Sequence, residues 1–251
     1  MRGKTDFKNE SSRPPSAASR KGAGLPPAIV EVEIERKAGL SCVKRLPSYL
    51  QLLRVLQAEG QEYVSGTVLA SVHHLEPVIV RKDLAITGIV GTPRVGFRVT
   101  ELINAIERFL GWDNQTKAVL VGTGNLGAAL LGYRGFENYG LLIVAAFDVD
   151  PAKIGKWVHG YKVQSMNQLA SFVRRGEIKL GVLTVPADVA QKAVDGMVQA
   201  GIRGIWNFTP VKLQVPENVV AQKEDLAEGL AVLSHRLHHL LASRDQRPMP
   251  A

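Results

Sequence analysis

Apolar positions recur along this chain at two spacings, and the change between them follows Gly111. Leu46-Pro47 opens a helical pattern in which Leu50, Leu53 and Leu56 share one face, and Gly60 stops it. Ser65 is placed to cap a second short helix, Gly66 to about Val72, with Val68 and Leu69 inward. A turn at His73–Leu75 follows, with His73 and His74 expected on the surface. Glu76-Pro77 starts a third helix that runs through Arg81, Lys82 and Asp83 to Leu84, its proline in the first turn where a missing N–H costs nothing. Gly88 to Phe97, punctuated by glycines, reads as a hairpin. Three short helices and a hairpin predict a winged helix-turn-helix over residues 44–98.

Residues 99–116 read as an amphipathic connecting helix, closed by Gly111, and a linker. Beyond it, four short apolar runs (Ala118–Val121, Leu142–Phe147, Leu180–Val185, Gly204–Phe208) alternate with helical segments at Leu126–Leu131, Met166–Arg174 and Ala187–Ala200. Buried strands alternating with amphipathic helices predict an α/β Rossmann-like, doubly wound parallel sheet over residues 117–224. The last helix, over residues 225–243, repeats leucine at 226, 230, 233, 237 and 240. So narrow a seam covers either the sheet or a partner subunit. Residues 244–251 read as a frayed end.

Composition changes the picture at the N-terminus. The 251-residue chain carries a net charge of +8, and residues 1–45 hold ten Lys/Arg against five Asp/Glu. Residues 1–43 are rich in Ser, Pro and Gly and are expected to be a disordered basic tail, either solubilising or weakly attracted to nucleic acid. No run of 18 apolar residues occurs, so no membrane span is expected, and the basic N-terminus lacks the apolar centre of a secretory signal. One cysteine, Cys42, excludes an internal disulfide and a multi-cysteine metal site and points to a reducing, cytoplasmic location.

Gly122-Thr123-Gly124-Asn125-Leu126-Gly127 is a G-x-G-x-x-G that follows a predicted strand and opens a predicted helix. Gly122 permits the turn, Gly124 lets backbone approach a pyrophosphate, and Gly127 lets helix pack on strand. The helix N-terminus supplies free N–H groups for the phosphates. Asp148, 21 residues after Gly127, ends the second strand. There a carboxylate accepts hydrogen bonds from ribose hydroxyls and repels a 2′-phosphate, favouring NAD(H). An acid–base partner for hydride transfer is not evident: His159 falls in a loop after the second strand, and His235, His238 and His239 lie on the last helix and are read as solvated or interfacial rather than metal ligands. A nicotinamide site without catalytic groups, joined to a DNA-binding unit, reads as a sensor.

At Leu46-Pro47-x-Tyr49-Leu50, Val80-Arg81-Lys82-Asp83-Leu84, Val121–Gly127, Ala146–Pro151, Thr184–Ala187, Gly204–Pro210 and Asp225–Ala227 the chain resembles the Rex family of redox-sensing transcriptional repressors. The resemblance implies a homodimer with a domain-swapped C-terminal helix, bound to palindromic operator DNA when NADH is low and released by NADH. It implies no catalysis and no metal. It places Thr184, Val185, Pro186, Asn207, Phe208, Thr209 and Tyr133 at the cofactor, with Gly122–Gly127 and Asp148. It makes Arg81 and Lys82 the recognition-helix pair, with Ser65, Arg94, Lys44 and Arg45 as further DNA-binding candidates. Asp225 and Tyr133 match the switch, whose third member, an arginine in the family, is Gln51 here. The wing departs too: Pro93 stands for the family's basic residue and Arg94 for its glycine. Two competing readings are a divergent NAD(H)-binding protein of this kind with altered or lost DNA binding or redox response, and an NAD-dependent oxidoreductase.

Overall fold

The structure, a computed structural model, describes residues 39–245. Almost all of the expected basic tail and most of the frayed C-terminal end lie outside them.

The first helix, α1 (Leu40–Ala58), begins earlier than the hydrophobic spacing indicates. Pro47 was expected at its opening but sits inside it, and lacks the N–H that the Val43 carbonyl would accept. Strand β1 (Tyr63–Val64), helix α2 (Gly66–Val72) and helix α3 (Pro77–Ala85) follow. The expected hairpin is only partly formed. Thr92 and Gly96 make a tight bridged loop, and strand β2 (Phe97–Arg98) pairs with β1 rather than with residues 88–91. Gly96, at φ +104°, lies directly against the Val64 backbone, where a side chain has no room. Leu46, Leu50, Leu53, Leu69, Val80 and Leu84 form the core of this unit. Helix α4 (Val99–Leu110) adds Leu102 and Ile106 to that core and ends at Gly111 in the left-handed conformation.

The second unit holds β3 (Thr116–Val121), α5 (Asn125–Gly132), a 3-10 segment (Arg134–Tyr139) and β4 (Leu141–Asp148). Next come β5 (Trp157–Val158), β6 (Tyr161–Ser165), α6 (Leu169–Gly176), β7 (Leu180–Leu183), α7 (Ala190–Ala200), β8 (Gly204–Asn207) and β9 (Val220–Lys223). The strands are ordered β5-β6-β4-β3-β7-β8-β9, all parallel except the small β5–β6 hairpin. Without β5 this is the 3-2-1-4-5-6 order of a dinucleotide fold, and the direction of winding reverses between β3 and β7. Strands β5, β6 and β9 escape the apolar pattern because they lie toward the sheet edges: β9 is exposed throughout and β6 buries only Val163. One face of the sheet packs Val119, Phe147 and Leu183 against α6 and α7, and the other packs Ala118, Leu120 and Val182 toward α5 and the 3-10 segment.

Helix α8 (Leu226–Asp245) is exposed in the single chain at every side chain from 227 to 242. Its seam is open: Leu230 is 63% and Leu233 62% exposed, and Leu237 and Leu240 are exposed as well. No helix among the described residues is long and apolar enough to cross a membrane.

Candidate cofactor and nucleic-acid sites

The winding reversal brings the ends of β3 and β7 together, and the glycine turn forms there. Gly122 takes φ +98°, and a Cβ on it would stand 2.8 Å from the Thr184 backbone and from the Val185 side chain. A Cβ on Gly127 would overlap the Gly122 carbonyl oxygen. Gly124, the N-cap of α5, has nothing within 4 Å of its missing Cβ. Two glycines are therefore required by the protein's own packing, while the third keeps space above the helix N-terminus open. Asn125 and Leu126 are exposed beside it. Thr184 donates its hydroxyl to the Gly122 carbonyl at 2.6 Å and its amide to the Val121 carbonyl at 2.9 Å, so the β7 loop clamps the turn. Val185 is half-buried and Pro186 exposed beyond it.

Asp148 is buried beneath this turn rather than displayed above it. Its Oδ2 accepts the Thr123 amide at 2.8 Å, the Thr123 hydroxyl at 2.7 Å and Lys153 Nζ at 3.2 Å. Oδ1 accepts the Asp150 amide at 3.0 Å. Burial pushes this carboxyl upward, but the Asp150 amide, the Thr123 hydroxyl and amide, and Lys153 outweigh it and hold the pKa at about 2. Asp148 is thus a fixed anion that braces the turn, with acceptor capacity left on Oδ1 alone.

On the β8 side, Asn207 and Thr209 are buried and bonded to each other. Asn207 Oδ1 accepts the Thr209 amide at 2.8 Å and its hydroxyl at 2.7 Å, and Asn207 Nδ2 donates to the Val211 carbonyl. They shape the loop and leave no group free for proton transfer. Phe208 continues an aromatic ladder through Trp206 and Phe136 to Tyr133, with centroid spacings of 4.8, 5.3 and 4.9 Å. Tyr133 is exposed at the end of that ladder. His159 lies against Gly132, at the opposite end of α5 from Gly124, roughly 12 Å away along an eight-residue helix.

In the N-terminal unit, Arg81 and Lys82 are exposed on α3. Arg81, Ser65, Thr67, Pro93 and Arg94 border one cleft of about 530 Å³ between the helix-turn-helix and the wing loop. Ser65 accepts the Val68 amide at 3.1 Å, the cap its sequence position predicts. Arg94 takes φ +66°, a conformation that favours glycine, and carries its charge at the loop tip. Lys44 is exposed on α1, while Arg45, read from the sequence as a DNA-binding candidate, is held by Asp83 with its side chain still 31% exposed. Arg45 Nε and Nη2 form a fork on Asp83 Oδ2 and Oδ1 at 2.6 and 2.7 Å. The Tyr49 hydroxyl donates to the same carboxylate at 2.7 Å, and the buried Cys42 Sγ approaches the Asp83 carbonyl at 3.7 Å. Burial opposes ionisation of Asp83, yet the bonds from Arg45 and Tyr49 hold its pKa below the usual carboxylate value. This network fastens the recognition helix to α1. Sequence reading missed it because its members lie 34 to 41 residues apart.

His73 is also not the surface group expected. Its ring packs edge-on to Tyr49 at 4.9 Å, and its buried Nε2 has no hydrogen-bond partner. Burial, then the neighbouring His74, lowers its pKa, so the native state takes up this proton at a lower pH than the unfolded chain does. The unfolded chain takes up a proton below about pH 6.5, and stability is lost as pH falls from there toward the native pKa. Thermal denaturation between pH 7.5 and 5 should therefore show a falling Tm, and His73→Phe should flatten the fall. An unchanged slope in that variant removes His73 as the cause.

The switch residues have separate partners in the single chain. Gln51 Nε2 donates to the Tyr139 hydroxyl at 3.4 Å, and Asp225 caps α8 through the Ala227 amide and pairs with Lys223 at 3.2 Å. Lys223 and that amide lower the Asp225 pKa. Among the described residues no group of His, Cys, Asp or Glu is arranged to hold a metal ion.

Comparison with known proteins agrees with this division. Residues 40–85 match a family model described as "Putative DNA-binding protein N-terminus", and residues 113–211 match the CoA binding domain model. The redox-sensing transcriptional repressor Rex of Treponema denticola is 52% identical over 76% of this chain and 91% of its own length. The Rex of Bacteroides fragilis is 40% identical over 78% of this chain and 89% of its own. Among solved structures, RSP, a Rex-family repressor, matches with a TM-score of 0.75 at 30% identity, over 82% of this chain and 96% of that one. RSP in complex with β-NAD+ and operator DNA matches with a TM-score of 0.74 at 31% identity, over 82% of this chain and 95% of that one. A winged helix, a dinucleotide turn at the winding reversal and relatives matched over nearly their full length lead to one assignment: the chain belongs to the Rex family of redox-sensing transcriptional repressors.

Proposed function

We propose that this chain binds operator DNA as a homodimer when NADH is low and is released when NADH occupies the second unit. The observation that carries this reading is the open space above Gly124, in a turn otherwise closed by its own packing. A pyrophosphate on the α5 N-terminus fits that space. Residues 122–127, 184–186 and 207–209 would surround the dinucleotide, with Tyr133 and Phe208 toward the nicotinamide. Asp148 Oδ1 would take a ribose hydroxyl, and its fixed negative charge favours NAD(H) over a 2′-phosphorylated cofactor. The bonded pair Asn207–Thr209 and the remote His159 support sensing without turnover.

Arg81, Lys82, Ser65 and Arg94 would meet DNA, the α3 pair in the major groove and Arg94 at the minor groove, with Lys44 toward phosphate. The open leucine seam of α8 supports a helix given over to the partner subunit. Two winged helices would then address half-sites one helical turn, or a multiple of it, apart. We place this activity in the cytoplasm. The division of labour we infer is residues 44–98 for DNA, 99–116 for connection, 117–224 for cofactor and 225–243 for dimerisation.

The test is binding of the purified chain to a palindromic family operator at fixed salt, with and without NADH. NADH is expected to weaken binding by roughly 5–150-fold, the range of ordinary allosteric coupling. Operator binding that ignores NADH overturns the redox reading. NADH binding without any sequence-selective DNA complex overturns the repressor reading and points to the altered wing.

A further inference from the structure

The 3-10 segment between α5 and β4 has two ends with different neighbours. At one end Tyr133 and Phe136 belong to the aromatic ladder that reaches Phe208. At the other, Asn138 and Tyr139 meet the N-terminal unit. There Arg54 of α1 donates from Nη2 to the Asn138 carbonyl at 2.8 Å and to Glu107 Oε1 of α4 at 2.8 Å. Its guanidinium also lies 5.8 Å from the centre of the Tyr139 ring, which packs on Trp112 at 4.9 Å. Gln51, about one turn earlier on α1, reaches the same tyrosine hydroxyl at 3.4 Å, too long for a strong bond.

We propose that Arg54 is the positioning residue that couples cofactor occupancy to the winged helix, and that it supplies the cation which Gln51 does not. The inference rests on the NADH-gated reading above. Arg54 touches α1, α4 and the 3-10 segment at once, and these are the elements that must shift for one unit to sense the other. A planar guanidinium holds two acceptors and a ring face together, which an ammonium does not. The Arg54–Glu107 pair is about two-thirds to three-quarters buried, so its charge-assisted bond is less screened than a free surface pair. Phe136 of the ladder and Asn138 of the Arg54 contact lie two residues apart in one 3-10 segment of six residues. A repacking of Tyr133 against nicotinamide therefore moves the Asn138 carbonyl. Coupling requires that this movement distinguish two arrangements of α1, and Arg54 is the bonded contact through which it does.

The experiment compares the full chain with Arg54→Ala and Arg54→Lys. NADH affinity is read from tryptophan fluorescence, and operator affinity is read with and without NADH. Wild type is expected to show NADH release of at least ~5-fold. Arg54→Ala should keep NADH affinity and cofactor-free operator affinity within about threefold, while release falls below about threefold. Arg54→Lys should restore part of the release. Should Arg54→Ala fail to fold, Glu107→Gln keeps the shape and removes the charge, and should reduce release by about half or more. A wild-type release ratio in Arg54→Ala, or in Glu107→Gln where that variant stands in, overturns the proposal. So does a parallel loss of NADH affinity, operator affinity and Tm at constant ratio, which marks a structural role. A wild-type chain that binds NADH but shows no release overturns the parent reading, and this proposal with it.

Discussion

Gly124→Ala should abolish useful NADH binding while leaving the protein folded. The missing Cβ has nothing within 4 Å, so a methyl group meets no protein atom. It instead occupies the space through which backbone amides reach a pyrophosphate. A loss of ~100-fold in affinity, about 2.7 kcal/mol, is expected by calorimetric titration. The N-cap change itself should cost less than about 1 kcal/mol in a thermal melt. Gly127→Ala should behave differently, although the chemical change is the same. Its methyl overlaps the Gly122 carbonyl, so the turn must open, at about 1–3 kcal/mol of stability. NADH binding and Tm should fall together there. Normal NADH binding by Gly124→Ala would remove the turn from the cofactor site.

Arg45→Ala should destabilise the N-terminal unit by ~3 kcal/mol, since it removes the fork from the buried Asp83 carboxylate and leaves it the Tyr49 hydroxyl and the weak Cys42 thiol as donors. Operator binding should be lost as the recognition helix loosens. NADH titration should be unchanged, because the glycine turn belongs to a separate core. Urea unfolding together with operator titration separates this from direct contact. Native stability with weakened DNA binding and a shallower salt dependence would return Arg45 to the phosphate contacts that the sequence alone assigns it.

The two arginines show which parts of the site sequence reading reaches. The dinucleotide turn was legible because each glycine answers a local steric demand, and those demands fix their spacing. The leucine seam of α8 was legible because helical periodicity is local too. The partners of Arg45, Arg54 and His73 were passed over because they lie elsewhere in the chain: Asn138 is 84 residues from Arg54. Asp148 was found by spacing, but its bonds to Thr123 and Lys153 could not be. Strands β6 and β9 were invisible for a different reason. A strand near the sheet edge has too few buried positions to print an apolar run, and Val163 alone does not make one. Pro47 misplaced the start of α1 because proline marks helix openings more often than interiors.

Cys42 bears on which chemical signals this protein can register. It is the chain's one cysteine, and burial, then Asp83, push its thiol up to about 12. Oxidation by peroxide and disulfide exchange both need the thiolate as the attacking nucleophile, and at neutral pH this site holds almost none. A regulator of this family could in principle listen to oxidants as well as to its cofactor. In this chain the thiol is silent, so oxidative stress reaches the switch through the nicotinamide pool rather than through cysteine oxidation.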